Sequence, residues 1–308
     1  MPISSLKTGV ISPNSLLVGN TGYDPIRGLF AGGTASGGVN NTIDYITIAT
    51  TGNATDFGDL SVTRDRMGAG ASTTRAIFGG GMGASSVQKT TIDYVTIATT
   101  GNATNFGDLT SNRYALTGCS SATRGLFGGG YDTNFLTAIQ YVTIATTGNA
   151  TSFGNLTVGR SNLAGCQSAT RGVFGGGFAG GANNTIDYVT IATTGDALDF
   201  GDLSVTRSSL GACSNTTRGL FGGGGASNTI DYITIASTGN ATDFGDLSVD
   251  RANNTGCASS TRGIFGGGNQ YNIMDYVAIA TTGNAIDFGD LTVSRYDLIG
   301  CSSGQGAL

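Results

Sequence analysis

The 308 residues include 53 Gly and no His or Trp, all 20 acidic residues are Asp, and only 11% of positions are charged, against roughly 25% in an ordinary globular domain. Without histidine there is no imidazole base, no catalytic triad built on one and no imidazole metal site, and carboxylate chemistry must rest on Asp alone. The net charge of −5 comes from 13 Arg and two Lys against 20 Asp spread along the chain, so no basic stripe tracks a phosphate backbone and nucleic acid is not an expected partner.

The chain opens Met1-Pro2-Ile3-Ser4-Ser5-Leu6-Lys7, which lacks the apolar run of about 7–15 residues that marks a secretion signal. No window of about 18 apolar residues follows, and the expectation is a protein folded in a cytosol, without membrane insertion. Residues 1–26 lie outside any repeat and read as an arm, whose apolar residues Leu6, Leu16, Leu17 and Val18 are the candidate anchoring contacts.

From residue 27 the chain repeats. Six times it writes Arg, Gly or Ala, an aliphatic residue and Phe ahead of a glycine-rich run, with Phe at 30, 78, 127, 174, 221 and 265. A strand-like segment follows, such as Thr42-Ile43-Asp44-Tyr45-Ile46-Thr47, its Tyr recurring at 94, 141, 188, 232 and 276. Twelve residues after each Tyr comes Phe-Gly-(Asp or Asn)-Leu, and seven after that Phe an Arg: Arg64, Arg113, Arg160, Arg207, Arg251 and Arg295. The Phe spacings are 48, 49, 47, 47 and 44, yet from each Tyr to the next glycine-run Phe the step is always 33. All length variation therefore falls in one loop per repeat.

Four short strand-like runs in a period of this size predict a propeller blade. In the third repeat they are the Phe127 region, the Tyr141 region and Phe153-Gly154-Asn155-Leu156, after which Asn162-Leu163-Ala164-Gly165-Cys166 becomes the inner strand of the next blade. The final stretch, about 296–303, is then an inner strand without its blade, and its partner is Arg27-Gly28-Leu29-Phe30. The fold expected is an all-β, six-bladed propeller of four-stranded blades over 27–308, closed by pairing both chain ends, which leaves no free sheet edge at the seam. A rival registry lets Leu16-Leu17-Val18 supply that inner strand.

Cys119, Cys166, Cys213, Cys257 and Cys301 occur once per repeat, without the paired spacing of zinc sites, and read as small buried apolar residues. The Asp of Phe-Gly-Asp-Leu and the two Arg per repeat recur too regularly to mark one active site, and read as ion pairs and hydrogen bonds to turns. Asn155 in place of Asp suggests a dispensable charge there. The Thr-Gly-Asn-Ala-Thr turns make one face nearly uniform, and their match to a glycosylation acceptor reads as accidental.

The elastic loops make the other face individual, and loops on a rigid scaffold are where binding usually resides. Tyr131, Asp132, Asn134 and Phe135, then Phe178, Asn183 and Asn184, and finally Asn269, Gln270, Tyr271 and Asn272 combine aromatic faces with amide and carboxylate groups. That chemistry suits stacking on a sugar ring and hydrogen bonding its hydroxyls. Neutral drift in tolerant loops explains the same variation. No catalytic residue, cofactor or metal is expected.

The repeat resembles the kelch family, whose blades carry a Gly doublet after an apolar strand, then a Tyr, then a Trp. Here Gly128-Gly129-Gly130 and Gly175-Gly176-Gly177 extend the doublet, the Tyr is present throughout, and Phe holds the Trp position. The resemblance spans 27 to about 303. The copper oxidases of that family need imidazoles that this chain lacks, and its other members imply an intracellular protein–protein interaction module. Ser5-Leu6-Lys7-Thr8-Gly9 followed by Asn14-Ser15-Leu16-Leu17-Val18-Gly19-Asn20 resembles the opening of structural and fibre-like proteins of marine tailed phages. This second resemblance implies a non-enzymatic virion component assembled in the host cytoplasm, a fibre tip or a capsid or tail decoration. Its expected partners are other virion proteins through the arm and a host-surface glycan or protein through the loop face, with homo-oligomerisation open.

Overall fold

A computed structural model describes residues 26–304, and the anchoring candidates Leu6, Leu16, Leu17 and Val18 lie outside them. The described chain is an all-β propeller of six four-stranded antiparallel blades. Blade 3 shows the pattern: inner strand Thr117–Ser120, second Arg124–Gly128, third Ala138–Thr143 and outer Thr151–Asn155. The inner strands of the repeat begin about two residues later than the sequence pattern suggests, because Asn162 and Leu163 belong to the connector ahead of Ala164–Gln167. In the third strand Ile139, Gln140 and Val142 are buried, since each blade is covered on both faces by its neighbours.

Ring closure follows the pairing of the chain ends. The last strand, Ile299–Ser302, pairs antiparallel with Arg27–Ala31, placing Leu29 opposite Cys301, so blade 1 takes its inner strand from the C-terminal end of the chain. In blade 3 the register slips between Ile139 and Gln140 opposite Phe153, and the same bulge recurs beside the Phe-Gly pair of each blade. A bulge adds twist and re-aims its side chain, and the resulting Phe stacks edge-on against the blade's Tyr at 5.8–6.0 Å.

Packing between blades is carried by the glycine-run Phe. Phe30, Phe78, Phe127, Phe174, Phe221 and Phe265 are fully buried. Each space is cut to size by a small residue of the preceding blade: a Cβ on Gly128 would lie 2.7 Å from Phe174. The cysteines do similar work on the inner side, where Cys257 Sγ fills the space that Gly28 leaves open. All five are buried and unbonded, and burial pushes their thiols up, so they remain protonated and unreactive.

Charge joins the blades as well, but through a different carboxylate from the one the sequence singles out. Arg64, Arg160, Arg207, Arg251 and Arg295 pair at 2.5–2.8 Å with Asp93, Asp187, Asp231, Asp275 and Asp44, the Asp of the third strand in the next blade. A Ser or Thr from the Arg's own blade completes the clasp, as when Ser61 donates its Oγ–H and backbone N–H to Asp93. Arg64, Arg207 and Arg295 also donate to the carbonyls at both ends of the elastic loop, Gly80 and Thr91 in the case of Arg64, and Arg160 and Arg251 to the carbonyl at its far end.

The Asp of Phe-Gly-Asp-Leu has another task. Its backbone N–H is capped by the Asn of the next blade's Thr-Gly-Asn turn, as in Asp59 to Asn102 Oδ1 at 3.1 Å. At the junction of blades 3 and 4 the residue types are exchanged: Asn155 donates to Asp196 through its backbone and its side-chain amide. The charge is moved across the junction there, and is not dispensed with. The second Arg of each repeat acts on the opposite face. It lies 4.5–4.8 Å over its blade's Tyr ring and reaches carbonyls of the next blade, as Arg124 does at Ile191 and Ala192.

One clasp is incomplete. Blade 3 has Gln140 where the others have Asp, and Gln140 accepts only the Thr110 N–H. Arg113, almost fully buried, keeps the loop carbonyls of Gly129 and Ala138 but has no buried carboxylate, and burial pushes it down to about 10.

Two stability changes follow. Phe127→Ala should cost about 3–5 kcal/mol in chemical denaturation, the range for emptying a buried aromatic site. Gln140→Asp should supply the missing anion and raise stability by about 1–3 kcal/mol, as for a hydrogen bond to a charged group; a loss would mean that the wider site cannot close around the shorter side chain.

Candidate functional site

Each connector that carries a clasp Arg also starts an inner strand, so clasp and axis are two residues apart. At that second position Arg66, Ala115, Asn162, Ser209, Asn253 and Asp297 have φ of 51–61°, a region that Asn and Asp enter most readily among non-glycine residues. Their backbones form a closed circle: Arg66 N–H donates to Asp297 O, Ala115 to Arg66, Asn162 to Ala115, Ser209 to Asn162, Asn253 to Ser209 and Asp297 to Asn253, at 2.7–3.0 Å. The circle rims an axial cavity of about 70 Å³ on the elastic-loop face.

Below the rim the wall is Met67, Leu116, Leu163, Leu210 and Leu298, with Asn254 in the remaining position. Arg66 forms an ion pair with Asp65 at 3.0 Å and lies 3.7 Å from Asp297. Burial, aided by Asp65 and opposed by Arg66, raises the Asp297 carboxyl to about 6.

An aromatic run starts at that rim. Arg66 sits 4.9 Å over the Tyr114 ring. Tyr114 meets Tyr131 at 5.8 Å, Tyr131 meets Phe135 at 5.2 Å, and Phe135 meets Phe178 at 5.7 Å. Backbone bridges Tyr114↔Tyr131, Tyr131↔Phe135 and Ser161↔Phe178 fix the rings in place. Phe178 is 37% exposed, and the other three are half-buried.

The structure therefore joins three of the sequence candidates, Tyr131, Phe135 and Phe178, across the loops of blades 3 and 4. Asp132 and Asn134 lie at the tip of the first loop, where the amides of Asn134 and Thr133 hold the Asp132 carboxyl below its usual range. Gln88 of blade 2 ties that loop from the side, donating to Asp132 O. Asn183 closes its own turn by accepting the Thr185 N–H, and Asn184 beside it is half-buried. Asn269, Gln270, Tyr271 and Asn272 do not join the run: they sit on blade 6, opposite blade 3, where Asn269 accepts the Ala252 N–H and Tyr271 is 39% exposed.

Sequence reasoning missed the rim and Tyr114. The rim position has no common side chain, and what its residues share is a backbone conformation; Asn or Asp at 162, 253 and 297 was the only hint. Among the described residues no group of three or more His, Cys, Asp or Glu is placed to hold a metal.

Asp297 gives the rim a pH signature. Its folded value of about 6 lies above the ordinary carboxyl value, so its contribution to stability is complete below the unfolded value and is lost as pH rises through the folded one. Asp297→Asn should remove part of the decline in stability between about pH 4 and 6, and carbon-detected NMR of the carboxyl should show the matching midpoint. No protein-family model matches this chain, and no curated protein matches it in sequence.

Proposed function

We propose that this propeller is a non-enzymatic structural protein of a phage particle, a fibre tip or a capsid or tail decoration. Residues 1–26 attach it to other virion proteins, and the elastic-loop face is turned towards a glycan on the host surface. The resemblance of the opening residues to marine phage structural proteins supports the placement. The binding role rests on the aromatic run from Tyr114 to Phe178. Loops free to vary without constraint have no need to align four rings over two blades, and aromatic faces beside amides suit pyranose rings. The kelch-like repeat supports the other reading, an intracellular protein-interaction module, which would use the same face.

Electron microscopy of intact particles separates the two. A six-bladed disc on the capsid or a tail appendage is expected, and its absence from particles would favour the intracellular module. Deleting residues 1–22 should leave the propeller folded but missing from particles. Replacing Tyr131, Phe135 and Phe178 together by Ala should lower host-cell attachment at least about tenfold, as expected when interfacial aromatic anchors are removed, with the melting temperature little changed. Undiminished attachment would remove the receptor-binding role.

A further inference from the structure

Most recurring polar side chains of the blades are consumed within the fold: the clasp Arg and Asp by each other, the turn Asn by the neighbouring outer strand, the second Arg by Tyr and carbonyls. The axial rim is different. Among the described residues, the side chains of Asn162, Ser209 and Asn253 have no hydrogen-bond partner, and all three border the cavity. Beneath them Asn254 replaces an apolar residue at a position only 5% exposed; its amide N–H donates to Gly222 O at 3.3 Å, while its Oδ1 is buried without a partner. A buried amide oxygen left in that state is costly, and the single bond to Gly222 O leaves that half of the amide unsatisfied at a position that otherwise carries Leu or Met.

We propose that the axial mouth is a subsite for the terminal residue of a neutral, polyhydroxylated ligand, a hexose end, whose following residues run along Tyr114, Tyr131 and Phe135. This rests on the reading of the loop face as glycan-binding. A sugar hydroxyl both donates and accepts, and the rim offers both in one ring: amide N–H groups and the Ser209 hydroxyl as donors, amide oxygens and the Asp297 carboxylate as acceptors. The two carboxylates of Asp65 and Asp297 face the single guanidinium of Arg66, so the mouth has no surplus cation for an acidic sugar. A cavity of about 70 Å³ is far below the several hundred Å³ of a pocket that swallows a whole ligand, and matches a terminal group entering from above. The Arg66–Tyr114 contact makes mouth and aromatic run continuous.

The test is a titration of the full chain with glucose, galactose and mannose at millimolar concentration, followed by amide NMR, with glucuronate and calcium chloride as controls. At least one neutral hexose should shift the side-chain amides of Asn162 and Asn253 and the rim backbone amides. Asn253→Ala together with Ser209→Ala should weaken that response about tenfold, the effect of losing one or two hydrogen bonds. Ala115 holds the same backbone conformation in its own connector, so these variants are compatible with the fold, and unchanged far-ultraviolet dichroism would verify it. No response to any hexose, shifts confined to the Tyr131 and Phe178 loops, tighter binding of glucuronate, or a rim that answers to calcium alone would each overturn the subsite. If host attachment depends on Tyr131, Phe135 and Phe178 while the rim variants attach as wild type, the loop-face reading stands and the subsite falls. If the rim binds hexoses and attachment ignores the aromatic residues, the subsite stands alone.

Discussion

The guanidinium of Arg295 against the carboxylate of Asp44, 2.5 Å apart and fully buried, is the contact on which the disc depends, because it joins the last connector to the first blade. Around it converge the Thr292 hydroxyl, also on Asp44, and the carbonyls of Gly32 and Thr42 at the ends of the first elastic loop. Four other junctions repeat it. Burial acts against both charges of such a pair: Arg160 is pushed down and Asp187 up despite their 2.7 Å contact. Pairs of this kind add little net stability over an apolar substitute, yet losing one partner is severe. Their effect here is geometric. One side chain sets the angle of the next blade, pins its elastic loop and leads two residues later to the axis.

That arrangement explains where variation is tolerated. The inner strands approach so closely that a Cβ on Gly300 would lie 2.7 Å from Gly256 O, and the outer strands are hooked by the neighbour's turn. A Cβ is excluded at the close approaches in both places, as at Gly300 and Gly58. Two positions per repeat escape: the elastic loop beyond the pinned carbonyls, and the rim residue, whose backbone is held while its side chain faces the cavity. Both lie on one face, so individuality collects there and the opposite face stays uniform.

The architecture was legible because it is periodic. The 33-residue step placed the variable loop, and the orphaned strand near residue 300 met Arg27–Ala31 as expected. The aromatic candidates of blades 3 and 4 were legible for the same reason, since they break the pattern. The clasp was half legible: the Arg was evident, but its partner lies 24–29 residues further on in four blades and across the chain ends at Asp44. The Asp nearer in sequence serves another junction. Blade 6 shows the limit of composition as a guide, since its loop has the same residue types as blade 3 but lies on the opposite side of the disc.

Blade 3 is where these strands of argument meet. It is the one blade whose third strand substitutes Gln140 for the clasp Asp, leaving Arg113 buried against two loop carbonyls and the Ser111 hydroxyl and pushed down to about 10. Those carbonyls, Gly129 and Ala138, bound the loop that carries Tyr131 and Phe135. The carboxylate that offsets part of the burial of Arg113 is Asp132, at the tip of that same loop. A rule obeyed at five junctions is relaxed beneath the aromatic run, as is common where a site sets demands that compete with stability. In place of the clasp carboxylate the loop is held by Gln88 and by the bridges Tyr114↔Tyr131 and Tyr131↔Phe135, contacts that also order the aromatic rings.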